Sequence, residues 1–209
     1  MSRNAIVLLS GGLDSSTVLA MASEGGRKCL ALSFRYGQRH VIELHYAVLQ
    51  AKRWGAEHLI LDMPTISGSS LTDGIVQTTA SAIPQSYVPA RNTVFLSIAL
   101  GLAELRNADI WVGVNALDYS GYPDCRPEYI EAFGRMADLA TRAGVEGRGP
   151  KVIAPLLHLS KVEIIAKGLA LGVDYNQTSS CYAPIGGVAC HVCDSCRIRN
   201  LAFEQVVSG

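Results

Sequence analysis

The segment at residues 7–20, VLLSGGLDSSTVLA, runs an apolar stretch straight into two glycines, an aspartate and two serines. Such an order fits a strand-to-helix turn whose free backbone N–H groups point at an anion beyond the strand. Gly11 and Gly12 allow unusual dihedrals and a close approach to an oxygen, while Ser10, Ser15 and Ser16 add hydroxyl donors. A phosphate suits that turn. Both the lysine of GxxxxGK(S/T) and the GxGxxG fingerprint are missing, and Asp14 stands in their place. A carboxylate beside a polyphosphate repels it unless Mg²⁺ lies between them, so Asp14 implies a metal–nucleotide complex. By itself, Gly-Gly-x-Asp-Ser fits equally well a tight turn in which Asp14 or Ser15 caps a helix.

A second cluster lies near the other end of the chain. Cys181, Cys190, Cys193 and Cys196 form C-x8-C-x2-C-x2-C. Four thiolates fill the tetrahedral shell of Zn²⁺ and leave no open position, which marks a structural site rather than a catalytic one. An iron–sulfur cluster uses the same ligands and is the rival occupant. Disulfides rank below both in a reducing compartment. Cys29 falls in a strand and reads as a core residue, whereas Cys125 can contact a substrate, act as a nucleophile or merely pack.

Between these clusters lies GVNALDYSGYPDCRPEY, residues 113–129. Asn115, Asp118 and Asp124 can exchange hydrogen bonds with an amino-pyrimidinone edge, Tyr119 and Tyr122 can stack on a flat ring, and Arg126 can pair with a carboxylate. The bland alternative is a surface loop with Ser-Gly and Pro-Asp turns. Arg91 and Asn92 open a helix, where an arginine is disfavoured by the dipole unless it faces an anion. A solvated Arg91 is the dull alternative.

The elements that must position these residues alternate in type. Apolar runs at 5–9, 29–34, 58–61, 109–114 and 152–154 predict strands. Helices are expected at 15–23 before Gly25 and Gly26, at about 41–54 with Val41, Leu44, Val48, Ala51 and Trp54 on one face, at 91–106, and at 127–143. Ser160 and Glu163 form a capping box heading a further helix that ends near Gly172. This order predicts an α/β fold, a Rossmann-like parallel sheet with helices on both faces and ligands at the carboxyl ends of the strands. Residues 1–174 are expected to form that domain and 175–209 a cysteine-rich, helical element. The polar loop at 63–89 is long enough to act as a lid or substrate loop.

At 209 residues and 49% hydrophobic, the chain can bury a good core, and no run of 18 apolar residues occurs. Lys plus Arg and Asp plus Glu each total 18, giving a net charge of +0, which argues against a dedicated nucleic-acid binder. A soluble, cytoplasmic protein is expected, with no membrane partner and no direct nucleic-acid partner. A homodimer is left open.

SGGLDSS resembles the pyrophosphate loop, S-G-G-x-D-S, of the ATP pyrophosphatase (PP-loop) superfamily, matched without a gap at residues 10–15. That resemblance implies an adenine nucleotide alpha hydrolase-like fold, ATP cleavage between the α and β phosphates, and nucleotide contacts from Leu9, Ser10, Gly11, Gly12, Leu13, Asp14, Ser15 and Ser16. Such enzymes tend to carry a lysine at the head of a late helix, where Lys161 stands. Taken alone, Lys161 reads as a solvated first-turn lysine. YGQRH at 36–40, VPARN at 88–92, the 113–129 stretch with YPDCR, and the cysteine tail are together similar to the 7-cyano-7-deazaguanine synthase family of the queuosine pathway. The likeness spans nearly the whole chain. His191 inside CHVC, where a small residue is expected, and Ser179 before SCY, where a bulkier one is common, are local departures.

What the family implies is a carbon–nitrogen ligase that adenylates 7-carboxy-7-deazaguanine, forms the amide with ammonia, and dehydrates it to the nitrile with a second ATP. It assigns Asp14, Lys161 and Arg91 to catalysis and Tyr36, Gln38, Arg91, Asn92, Asn115, Asp118, Tyr122, Asp124, Cys125 and Arg126 to the substrate. The cysteines would hold structural Zn²⁺, with Mg²⁺ accompanying ATP. With serine at position 2, no N-terminal cysteine glutaminase is expected, and free ammonia is the expected nitrogen source. A rival class is a PP-loop tRNA-thiolating enzyme in which Cys125 carries persulfide sulfur or the tail holds iron–sulfur. A third is a non-enzymatic zinc module that binds nucleotide.

Overall fold

The computed structural model describes residues 3–38, 42–72, 83–115 and 121–208. Five parallel strands form one sheet: β1 (Asn4–Leu8), β2 (Cys29–Arg35), β3 (Glu57–Asp62), β4 (Ala108–Trp111) and β5 (Val152–Ile153), in the order β3-β2-β1-β4-β5. The helices are α1 (Leu13–Glu24), α2 (Ile42–Arg53), α3 (Arg91–Arg106), α4 (Pro127–Ala140), α5 (Arg142–Val145), α6 (Lys161–Ala170) and α7 (Asp194–Ser208).

Strand alternation divides the core in two. Ile6 of β1 joins Leu96, Ala99, Leu100 and Ala103 of α3 and Ile130 and Phe133 of α4 on one face. Ala5 and Val7 join Val18 and Leu19 of α1, Ala47 and Ala51 of α2, and Ile164 and Ile165 of α6 on the other. Tyr175 and Ala202 from the C-terminal segment belong to this second cluster, so α7 covers the same face as α6. The doubly covered parallel sheet agrees with the alternation of elements in the sequence, and its apolar strands are what burial on both faces demands.

Several boundaries moved for physical reasons. The helix expected at 127–143 breaks at Thr141, whose φ of -119 and ψ of 149 are extended; its hydroxyl donates to Ala137 O and accepts from Gly144 N–H. The strand expected at 109–114 stops at Trp111, because β5 offers only Val152–Ile153 as a partner. Val48 is 44% exposed, and the buried face of α2 is Leu44, Ala47, Gln50 and Ala51. Gln50 is held inside because its amide donates to Asp174 O and Gln177 O at 3.4 and 2.9 Å. Of the predicted lid, residues 73–82 lie outside the described residues; Leu71 and Val88 at its base are core. No helix among the described residues is long and apolar enough to cross a membrane.

Candidate functional site

The strand order reverses between β1 and β4, and at their carboxyl ends lies a cavity of about 220 Å³. Its floor is the turn after β1. Leu9, Ser10, Gly12, Leu13, Asp14 and Ser15 line the cavity. Gly11 turns its back to it, with φ +89; a Cβ there would lie 2.1 Å from Glu43 O and 2.6 Å from Ala47 N of α2. Only glycine fits so close to a helix backbone with that dihedral. Ser16 is buried in α1, and its hydroxyl has no hydrogen-bond partner among the described residues.

Within the turn, Ser10 Oγ accepts from Gly12 N–H at 3.2 Å and meets Ser15 Oγ at 3.1 Å. Gly12 is the N-cap of α1, so no side chain of the cap residue occupies the helix end. Asp14 and Lys161 form a two-pronged ion pair, Nζ to Oδ1 at 2.7 Å and to Oδ2 at 2.9 Å, with the lysine side chain only 7% exposed. The capping box at Ser160 and Glu163 fixes the start of α6 and so the direction from which Lys161 reaches the turn. A cation placed between Asp14 and a polyphosphate would use that carboxylate, leaving Lys161 to meet a phosphate; the donor set fits both roles.

The opposite wall is built from α3, the end of β2 and the turn before α4. Tyr36, Gln38, Arg91, Asn92, Asn115, Tyr122 and Cys125 all line the cavity. Arg91 donates to Tyr36 Oη at 3.1 Å and lies 5.8 Å from that ring's centre. Burial opposes its charge, yet Tyr36, Asp124 and Cys125 outweigh that, so its pKa is raised and the guanidinium stays cationic. Burial, and then the Asp124 charge, push the Cys125 thiol up to about 12, while Asn92 Nδ2 donates to its sulfur at 3.3 Å. A thiol so held is a weak nucleophile.

Some expected substrate contacts are otherwise engaged. Asp124 does not line the cavity; its Oδ2 accepts from Asn92 N–H at 2.9 Å and so caps α3, offsetting the arginine at that helix end. Asn115 Nδ2 donates to Leu156 O at 3.0 Å and to Leu159 O, which clamps the approach to α6. Gln38 accepts from Tyr36 N–H and donates to Phe34 O, bracing the β2 end. Arg126 occupies the N-cap position of α4 without a side-chain cap hydrogen bond, and it is not in the cavity wall. Asp118 and Tyr119 lie outside the described residues. The sequence did not single out Phe95, Ser180, Tyr182 or Ser195 as lining residues. Phe95 reads as core, and the other three were hidden beside the cysteines.

The sulfurs of Cys181, Cys190, Cys193 and Cys196 all lie within 4.8 Å of one another. Zinc–thiolate bonds of ~2.3 Å in a tetrahedron put sulfurs ~3.8 Å apart, so one ion fits. Cys190 N–H points to Cys181 Sγ at 3.2 Å and Cys193 N–H to Cys190 Sγ at 3.4 Å, hydrogen bonds that favour thiolates. Backbone N–H groups of Val192 and Cys193 lower the Cys190 pKa to about 6, and burial raises that of Cys196 to about 12. His191, between two ligands, has φ +59, a left-handed value that explains why a small residue was expected there.

Residues 4–207 match the family model described as queuosine biosynthesis protein QueC. A 7-cyano-7-deazaguanine synthase from Geobacter sulfurreducens is 57% identical over 215 residues, covering 99% of this chain and 91% of the relative. Another from Pseudomonas fluorescens is 55% identical over 210 residues, covering 97% and 94%. An NMN synthetase structure from Francisella tularensis superposes with a TM-score of 0.52 at 14% identity, over 98% of this chain and 85% of that one. A U34-tRNA thiolase from Methanococcus maripaludis, described with its 4Fe-4S cluster, gives 0.52 at 15% identity, over 99% and 73%. At these identities the two structures establish a shared fold alone.

Proposed function

The chain belongs to the QueC family of queuosine biosynthesis proteins, and from that premise we propose that it makes 7-cyano-7-deazaguanine from 7-carboxy-7-deazaguanine, ammonia and ATP. The observation that carries this proposal is that the SGGLDSS turn faces Arg91, Asn92 and Tyr122 across one shared cavity. One side suits a triphosphate and the other a flat, anionic heterocycle.

A carboxylate oxygen of the substrate attacks the α-phosphorus of ATP and pyrophosphate leaves. Ammonia then attacks the acyl carbon, AMP departs with the oxygen, and loss of a proton leaves the amide. The amide oxygen attacks a second α-phosphorus with release of pyrophosphate, and the adenylated amide loses AMP and both protons from its nitrogen to become the nitrile. Each of the two water equivalents removed leaves inside an AMP. Arg91 holds the acid by charge, the tyrosines of the wall stack on the ring, and Lys161 meets the phosphates as charge moves onto the leaving pyrophosphate. Asp14 would hold Mg²⁺, which neutralises phosphate charge.

Cys181, Cys190, Cys193 and Cys196 would hold Zn²⁺ as a closed structural site. The raised pKa of Cys125 weighs against a sulfur-carrying role and so against the thiolation alternative. Small-molecule substrates, and a cytoplasmic location that provides them, complete the proposal. Purified protein incubated with the acid, ammonium and MgATP is expected to yield AMP, pyrophosphate and the nitrile by mass spectrometry. Release of ADP would refute it.

A further inference from the structure

We propose that Ser180 is a positioning residue that ties the cysteine cluster to the phosphate loop, so that a metal ion on Cys181, Cys190, Cys193 and Cys196 raises nucleotide affinity. This inference rests on the triphosphate occupying the SGGLDSS turn.

Ser179 and Ser180 directly precede Cys181 in the chain. The Ser179 N–H donates to Gly11 O at 3.0 Å, and Ser180 Oγ accepts from Leu13 N–H at 3.3 Å. These bonds grip the turn at both ends: the carbonyl of its left-handed glycine and the first N–H of α1. A Cβ on Gly12 would stand 3.4 Å from Ser179 O and 3.6 Å from Ser180 Oγ, so the strap lies in ordinary contact with the loop backbone. Because Ser179 acts through its backbone, its unusual side chain is immaterial to the grip.

The tie recurs at the far end of the ligand set. Ser195, 3% exposed, lines the cavity and directly precedes Cys196 in α7. Each of these ligands therefore has a cleft residue as its chain neighbour. Upstream, the strap is anchored by protein alone: Arg199 donates to Thr178 Oγ1 and Tyr175 O, and Thr178 Oγ1 to Tyr175 O. Downstream the packing thins. Ile185, Val188 and Val192 are 77%, 63% and 66% exposed, and an isolated bridge between Ile185 and Val188 is the main backbone pairing of that stretch. Segments with so few buried contacts open at low free energy, and a four-thiolate ion removes that freedom. A loop held in its binding geometry spares the ligand the cost of ordering it.

Coupling of this kind is reciprocal, so the nucleotide must also retain the metal. The test uses zinc-loaded wild-type protein, chelator-depleted wild type, Ser180→Ala and Ser180→Thr. Magnesium α,β-methylene-ATP, which cannot be cleaved between those phosphates, is titrated by calorimetry, and zinc release to a chelator is timed with and without it. Ser180→Ala is expected to keep its full zinc content and bind the analogue roughly three- to tenfold more weakly, the worth of one hydrogen bond. Ser180→Thr restores binding, depletion weakens it about tenfold or more, and the analogue slows zinc release from wild type but not from Ser180→Ala. The release assay on folded wild type needs no variant. Equal affinity of zinc-loaded Ser180→Ala and wild type, or zinc release indifferent to the analogue, overturns the coupling while nucleotide binding stands. If zinc-loaded wild type fails to bind the analogue, the proposed function falls and the coupling with it.

Discussion

The SGGLDSS loop and the cysteine knuckle are both short, glycine-bearing and polar, yet packing against the core holds only the first. At the loop, Gly11 is wedged against α2 with its would-be Cβ 2.1 Å from a carbonyl oxygen, and core residues Leu9 and Leu13 flank it. At the knuckle, Gly186 and Gly187 also have positive φ but meet nothing within 4 Å, and the apolar side chains around them are exposed. The loop draws its shape from the core, whereas the knuckle, on the proposed metal site, would draw its own from the bound ion. One backbone conformation can thus be fixed by packing or, on the proposed metal site, by coordination; loss of metal would free the knuckle and would cost the loop only the Ser180 contact that trims its geometry.

The largest effect should separate two alanines. Gly11→Ala adds left-handed strain and a backbone clash, together on the order of 3 kcal/mol or more, and should abolish nucleotide binding. Gly187→Ala meets only the dihedral cost, about 1 kcal/mol. Urea denaturation and nucleotide titration of the pair check this; similar losses in both would break the comparison. Next comes Asp14→Asn. It is expected to lower kcat about a hundredfold or more, in the range of lost electrostatic groups in catalysis, and to remove the negative charge that faces the buried ammonium of Lys161.

Metal removal should act regionally. Chelation is expected to raise amide exchange across residues 181–198 while β1, β2 and β4 keep their protection, followed by mass spectrometry of peptides. Uniform exchange would mean that the knuckle is not separately held.

A smaller effect comes from Cys125. Its pKa is pushed up from 9.0 to about 12 in the folded protein, so the native state retains a proton that the unfolded chain has released between those values. The resulting stability is complete below pH 9.0 and declines as pH rises toward about 12. Cys125→Ala should flatten that alkaline decline in thermal melts. Smallest of all, His191→Gly relieves a left-handed dihedral within the knuckle and should stabilise zinc retention by up to about 1 kcal/mol.

Local constraints were legible in the sequence, and long-range ones were not. The glycine turn, the Ser160–Glu163 box, the start of α3 at Arg91 and the cysteine spacing each lie within a few residues of chain. Asp124, in contrast, looked like a substrate carboxylate because nothing local shows that it caps α3 across 32 residues of sequence. Asn115 likewise gives its amide to carbonyls more than 40 positions away. The Leu13–Ser180 bond spans 167 residues and exists only because α6 and α7 share the face of the sheet that α1 occupies. Patterning told which residues could do chemistry; folding decided which of them still had their polar atoms to spare for it.

The most direct measurement is a crystal structure of the zinc-loaded protein with magnesium and α,β-methylene-ATP. Phosphate oxygens are expected on the backbone of residues 10–16, with Asp14 facing Mg²⁺ and Lys161 Nζ drawn from Asp14 to a phosphate. Nucleotide bound elsewhere, with the 2.7 Å Lys161–Asp14 contact intact, would contradict this placement.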